Sequence, residues 1–309
     1  MINFRYHVVS LTAVFLALAI GLVVGTAALN GPVADSLNDS VNALGKDNKN
    51  LREQVSHLQE EVNREEDFVT EVAPLVLAGK LTGRRVLVVS LPRGRENVEG
   101  VIEMLTIAGA RITARIDIED KFTDPANGVE LLELADEAAV PSVATSSLPA
   151  NSDGVETSSA LLAAVLMDRL PTVSDADLRS VLTAYRSAGY VSVKDKVSGP
   201  AELVVVVTDR PYTDREAGQK NKAVVTLADQ FDKAGPIVVA GSGVAGDGNA
   251  VSGVRGDPTL AKTISTVDNV GTLQGRLVTA LTAAEQLTGD VGHYGIGAGA
   301  QFLMPQPPK

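Results

Sequence analysis

LVVVVTDRPYTDREAGQKNKAVVTLADQFDKAGPIVVAG, residues 203–241, holds two periodicities in succession. Leu203 to Thr208 and Ile237 to Gly241 are short, continuous, β-branched runs, the pattern of strands buried on both faces. Between them Val224, Leu227, Ala228 and Phe231 recur at helical spacing, and Gly235-Pro236 stops the helix. Strands without a polar face need helices above and below them. The stretch therefore predicts a doubly wound, mostly parallel α/β fold.

The same grammar extends in both directions. Val86 to Ser90 reads as a strand, Val98, Val101, Ile102, Leu105 and Ala108 as one helix face, Gly109 as its stop and Ile112 to Ile118 as the next strand. Ser174 caps a helix carrying Leu178, Val181, Leu182 and Tyr185, Gly189 closes it, and Tyr190 to Val193 follows. A last helix, about residues 273–287, precedes a Gly-rich tail. Residues 141–157, rich in Ser, Ala and Pro, read as a linker or long loop that either divides the head into two lobes or interrupts one domain.

Doubly wound folds place ligands beyond the carboxyl ends of their strands, so the loops there come first in a search for chemistry. Leu91-Pro92-Arg93-Gly94-Arg95 is basic and could hold an anion, or is a solvated turn. Asp117, Glu119, Asp120 and Asp124 follow a second strand, and Asp209 and Asp214 a third, without the spacing of a calcium loop. Gly241 to Gly248 matches G-x-G-x-x-G by letter but opens no apolar helix, and reads as a loop. No G-x-S-x-G and no H-E-x-x-H occurs, so no catalytic residue and no cofactor-binding residue is assigned and the chain is not expected to be an enzyme. His293, in Gly292-His293-Tyr294-Gly295, is the one weak candidate for a metal, with a role at a helix end as its alternative.

N-terminal to the head, after Gly31-Pro32, runs a heptad pattern. With Val41 at position a, the a series continues through Asn48, Val55, Val62 and Val69, and the d series is Leu37, Leu44, Leu51 and Leu58, broken by Glu65. Val at a with Leu at d favours a parallel two-stranded coil, and a single Asn48 at a fixes the register because an offset buries an unpaired amide. The expected dimer interface is thus Leu37, Val41, Leu44, Asn48, Leu51, Val55, Leu58, Val62 and Val69, with Pro74 ending the helix; an amphipathic helix packed on its own head is the competing reading.

Residues 8–29 are free of charge and long enough to cross a hydrocarbon core of roughly 30 Å as a helix. A cleaved signal peptide is the alternative, although such apolar regions usually run about 7–15 residues. Arg5 precedes the span and Asp35 and Asp39 follow it, which puts the N-terminus in the cytoplasm and the head on the extracytoplasmic side of the cytoplasmic membrane. Ala17, Gly21 and Gly25 fall four apart, a spacing that lets two membrane helices pack closely. The organisation expected is tail and transmembrane helix over 1–30, coiled-coil stalk over 31–74 and α/β head over 80–309.

Composition narrows the partners. A net charge of −11 argues against nucleic acid. The chain has no cysteine, three histidines and four methionines, a sparse set for copper, whose Cu(I) prefers sulfur and whose Cu(II) prefers imidazole. Partners expected from the residues are a second copy and the lipid bilayer.

The opening Met1-Ile2-Asn3-Phe4-Arg5-Tyr6-His7-Val8-Val9-Ser10-Leu11, the run VFLALAIGLVVG behind it, the coil, and the closing Val291-Gly292-His293-Tyr294-Gly295 resemble the actinobacterial copper-transporter family MctB. That resemblance implies copper homeostasis or transport across the envelope. Through the corynebacterial relative SteB it also implies a membrane complex with an SteA-like protein controlling a peptidoglycan hydrolase in cell separation. No catalytic residues come with it. The reading favoured at this level is a non-catalytic, membrane-anchored envelope scaffold or regulator, with copper homeostasis as the alternative and a small-molecule sensor using the head as a third.

Overall fold

The computed structural model describes residues 4–30, 32–143, 148–149, 153–242 and 248–306. The elements are α1 (Phe4–Asn30), α2 (Pro32–Leu77), β1 (Arg85–Ser90), α3 (Arg95–Ile107), β2 (Arg111–Ile118), α4 (Asp120–Thr123), α5 (Gly128–Ala138), α6 (Gly154–Leu166), α7 (Asp175–Ser187), β3 (Val191–Val193), β4 (Leu203–Val207), α8 (Ala217–Asp232), β5 (Ile237–Ala240), α9 (Ala250–Gly256), β6 (Ser265–Val267), α10 (Leu273–Gln286) and β7 (His293–Tyr294). The chain divides within α2 into two compact units, Met1–Glu65 and Glu66–Lys309.

In the first unit α1 contains a candidate membrane span, Phe4–Ala27, with a mean hydropathy of 2.6 and no burial within the chain. Ala17, Gly21 and Gly25 lie on it, and no atom comes within 4 Å of where a Cβ on either glycine would stand. The seam residues Leu37, Val41, Leu44, Leu51, Val55, Leu58 and Val62 are all solvent-exposed on α2. Each would be costly to leave in water as a continuous stripe.

The second unit is built on one sheet of order β3-β2-β1-β4-β5-β6-β7. All neighbouring strands run parallel except β3, which pairs antiparallel with β2. Alternation along the central strands divides the core. Leu87, Val89, Val204, Val206, Ile237 and Val239 face α5 to α9, while Val86, Val88, Leu203, Val205, Val207 and Val238 face α3, α10 and the end of α2. The continuous apolar strands thus meet helices on both sides, as their sequence requires.

The structure departs from the expected pattern at several points. The helix does not stop at Pro74: α2 continues to Leu77 with Pro74 inside it. The proline removes one backbone hydrogen bond, but Val69, Ala73 and Leu77 are buried in the head core on either side of it, so packing holds the last turn. The stop lies at Gly79, whose φ of 73° only glycine adopts without strain. Val69, expected in the heptad seam, lies on this part of α2. It is 8% exposed and packs within its own chain, in the unit that runs from Glu66 to Lys309.

Strands from both sides of the segment 141–157 share the sheet, which is the arrangement of one interrupted domain; residues 153–157 cap and open the buried helix α6, through Asp153 accepting from the Glu156 amide. Residues 144–147 and 150–152 lie outside the described set, as do 243–247 of the glycine-rich loop. The run Tyr190 to Val193 forms an antiparallel edge strand rather than another parallel one, with Ser192 and Val193 only half-buried, as an edge permits.

Candidate functional site

Chain order reverses between β1 and β4: β2 lies on one side of β1 and β4 on the other. At such a switch point the connections leave on opposite faces and open a crevice beyond the carboxyl ends of the strands. Here a crevice of about 660 Å³ opens there, lined by Pro92 and Arg93 after β1, Asp120, Lys121, Asp124 and Asn127 after β2, and Tyr212, Asp214 and Lys220 after β4. Three of the loops singled out from sequence converge on it.

The floor depends on a close backbone approach. A Cβ on Gly94 would run into the Val207 carbonyl, so only glycine lets the β1 turn lie against the end of β4. Arg93 extends over the Tyr212 ring, 4.9 Å from its centroid, and Lys220 lies 5.8 Å from the same ring. The Tyr212 hydroxyl lies 3.4 Å from the Thr123 hydroxyl, and burial pushes its pKa up. The Tyr212 backbone is held by Asn221, whose side chain accepts from its amide at 2.9 Å and donates to its carbonyl at 3.3 Å.

The charges are mostly spoken for. Lys220 pairs with Asp214 at 3.0 Å, which raises the pKa of the lysine and lowers that of the carboxyl. Lys121 pairs with Glu130 at 2.6 Å and stands over the Tyr190 ring. Asp124 turns back to accept from the Ala126 amide. Glu119 pairs with Arg95, and Asp117 lies buried beside Arg115 and Lys194, away from the crevice lining. Arg93 alone of the lining cations has no carboxylate partner among the described residues. Two of the three lining cations are thus paired with carboxylates, Lys220 with Asp214 and Lys121 with Glu130.

His293 sits elsewhere, on β7, and is buried. Its Nδ1 lies 2.9 Å from the Thr266 hydroxyl and its Nε2 3.1 Å from the Ala261 carbonyl. A carbonyl only accepts, so Nε2 carries the proton and Nδ1 accepts from Thr266. Burial lowers the His293 pKa and keeps the ring neutral. Both nitrogens are engaged in protein hydrogen bonds, which is the geometry of a packing residue. Among the described residues no group of three or more His, Cys, Asp or Glu side chains is placed to hold a metal ion.

Next to it, Arg255 and Asp268 form a buried ion pair at 2.7 Å. Asp268 also accepts from the Ile296 and Gly297 amides at 2.8 and 2.9 Å, and Arg255 donates to the Tyr294 and Ala298 carbonyls. This cluster fastens the Gly-rich tail to the sheet. Sequence reasoning missed it because neither residue lies in a recognisable spacing with the other.

Residues 1–305 match the family model described as "Copper transport outer membrane protein, MctB". The protein named "Copper transporter MctB" from Mycobacterium tuberculosis (strain ATCC 25618 / H37Rv) is 28% identical over 312 residues, covering 98% of this chain and 99% of the relative. That from Mycobacterium leprae (strain TN), under the same name, is 29% identical over 318 residues, covering 99% of this chain and all of the relative. The match takes in the apolar helix, the heptad helix and the α/β head together, and on it this chain belongs to the MctB family.

Proposed function

We propose that this protein works in copper transport or homeostasis at the cell envelope, as a non-catalytic component anchored by α1 with its head on the extracytoplasmic side. The observation that carries this reading is the family match across residues 1–305, together with relatives named as copper transporters over almost the whole chain. Although the family description names an outer membrane, the uncharged helix and the Arg5-to-Asp35 charge asymmetry favour insertion in the cytoplasmic membrane with the N-terminus inside.

The side chains limit how such a role is performed. With no cysteine and with His293 committed to Thr266 and Ala261, this chain offers copper few soft ligands. The one helix long and apolar enough to cross a membrane among the described residues does not by itself enclose a path. The role therefore calls for assembly, and the exposed seam on α2 supplies the means: a parallel homodimer through Leu37, Val41, Leu44, Asn48, Leu51, Val55, Leu58 and Val62, closing on membrane helices packed at Ala17, Gly21 and Gly25.

That same seam favours a second reading. A dimeric, externally displayed head is suited to a scaffold that works with an SteA-like membrane protein in controlling a peptidoglycan hydrolase during cell separation. Deletion of the gene in its own host, scored for growth under copper and for septation, separates the two. Copper hypersensitivity with normal separation, rescued by the full chain and not by Leu44→Asp/Leu51→Asp, is the expected result. Chained cells with normal copper tolerance would replace the copper reading with the second.

A further inference from the structure

A groove of about 630 Å³ lies at the other end of the sheet from the crevice, where Arg111 begins β2, between α7 and the segment that follows β3. Its lining carries four cations, Arg111, Arg179, Arg186 and Lys196, and none has an ion-pair partner among the described residues. In a chain with 38 acidic and 27 basic residues, these cations contrast with Arg84, Arg85, Arg95, Arg115 and Arg255, which are paired with carboxylates. Asp175 and Asp195 also line the groove, leaving it with two positive charges in excess.

The arrangement follows from local structure. Arg179 and Arg186 are seven residues apart on α7, hence on one face and about 10 Å apart along its axis. Leu178 and Leu182, buried beneath them, and Val193 and Val197 opposite form an apolar floor. Residues 194–198 are fixed along β2, since the Lys194 amide donates to the Arg115 carbonyl at 3.2 Å and the Ser198 amide to the Thr113 carbonyl at 2.8 Å. Lys196 is thereby held facing α7 on a short, tethered strap.

We propose that this groove binds a phosphate monoester carried on a sugar or apolar body. Three of its four cations are arginines, whose planar forks match phosphate oxygens two at a time. A phosphate monoester carries a charge of about −1.5 to −2 at neutral pH, which meets the excess of the lining, whereas one carboxylate meets half of it. The apolar floor accommodates the body of the ligand. A broad anionic surface such as a lipid bilayer is disfavoured, because the rest of this acidic chain would be repelled from it.

The test is calorimetric titration of the full chain in detergent micelles with glucose 1-phosphate, and with glucuronate as a carboxylate of similar size. Saturable binding of glucose 1-phosphate below about 1 mM is expected, with glucuronate at least about tenfold weaker. Arg179→Gln/Arg186→Gln, two exposed positions, should weaken it by about tenfold or more while leaving the melting temperature of the unliganded protein unchanged. Arg215→Gln/Lys262→Gln, outside the groove, should leave binding as it is. Absence of saturable binding, equal affinity for glucuronate, or equal loss in the control variant would each overturn the assignment.

Discussion

Leu51→Ala tests the seam with a magnitude that can be worked out in advance. Leu51 occupies a d position on α2 and is 60% exposed within its own chain. In a parallel dimer it is buried against its counterpart. Truncation to alanine removes three carbons, about 2.4 kcal/mol at ~0.8 kcal/mol per buried carbon. Symmetry doubles this to about 5 kcal/mol per dimer, or three to four powers of ten in the dissociation constant. Sedimentation of the full chain over a dilution series in detergent reads the shift directly. Because the chain has no cysteine, Glu65→Cys at a later d position adds a single reporter, whose oxidation to a dimer checks that the helices are parallel and in register. A midpoint that moves less than about threefold, or a wild-type chain that stays monomeric throughout, would refute the seam.

Three further outcomes follow from the head. Asp268→Ala should lower stability by about 3–5 kcal/mol, since it strands Arg255 and leaves the Ile296 and Gly297 amides unpaired; adding Arg255→Met should not restore it fully, because those amides remain orphaned, as denaturant titration would reveal. Gly94→Ala should cost about 1–3 kcal/mol by forcing the β1 turn off the Val207 carbonyl, and a midpoint equal to wild type would disprove that contact. His293 has a folded-state pKa below its ordinary value of 6.5, so the unfolded chain takes up the proton first as pH falls; its contribution to stability is present above about pH 6.5 and is lost below it. Melting temperatures measured from pH 7.5 to 5.5 should therefore fall less steeply in His293→Gln than in wild type, and parallel curves would contradict this.

The parts of this fold that were legible in sequence are those in which one physical signal dominates. The valine runs of β1, β4 and β5 have no polar face and so declare a covered sheet, and Ser174 and Gly189 bracket α7 by capping and by left-handed backbone. Helix α6 was hidden because its first turns, Gly154 to Ala160, are composed like a loop; their hydroxyls are buried, with the Ser158 hydroxyl donating to the Leu131 carbonyl and accepting from Tyr185 at 2.8 Å. The strands β6 and β7 are too short for periodicity, and β6 carries Ser265 and Thr266, whose partners Gln286 and His293 come from the distant α10 and β7. Pro74 misled because a local rule was overridden by packing around it.

The site was legible in pieces. Arg93, Asp120, Asp124 and Asp214 could each be placed after a strand, but their convergence depends on strand order, which chain order does not reveal. Tyr212 and Lys220 went unread for the same reason: a tyrosine in a loop and a lysine on α8 gain meaning only when Arg93 lies over the ring. The groove on α7 was invisible because Arg111 and Lys196 are remote in sequence from Arg179 and Arg186.

A role in copper handling is best tested by the copper content of whole cells. A strain lacking this gene, grown in its own host background under a sublethal copper load, should accumulate more cell-associated copper than the same strain carrying the full chain, while zinc and iron stay unchanged. Equal copper in the two strains would rule out a role for this protein in copper handling.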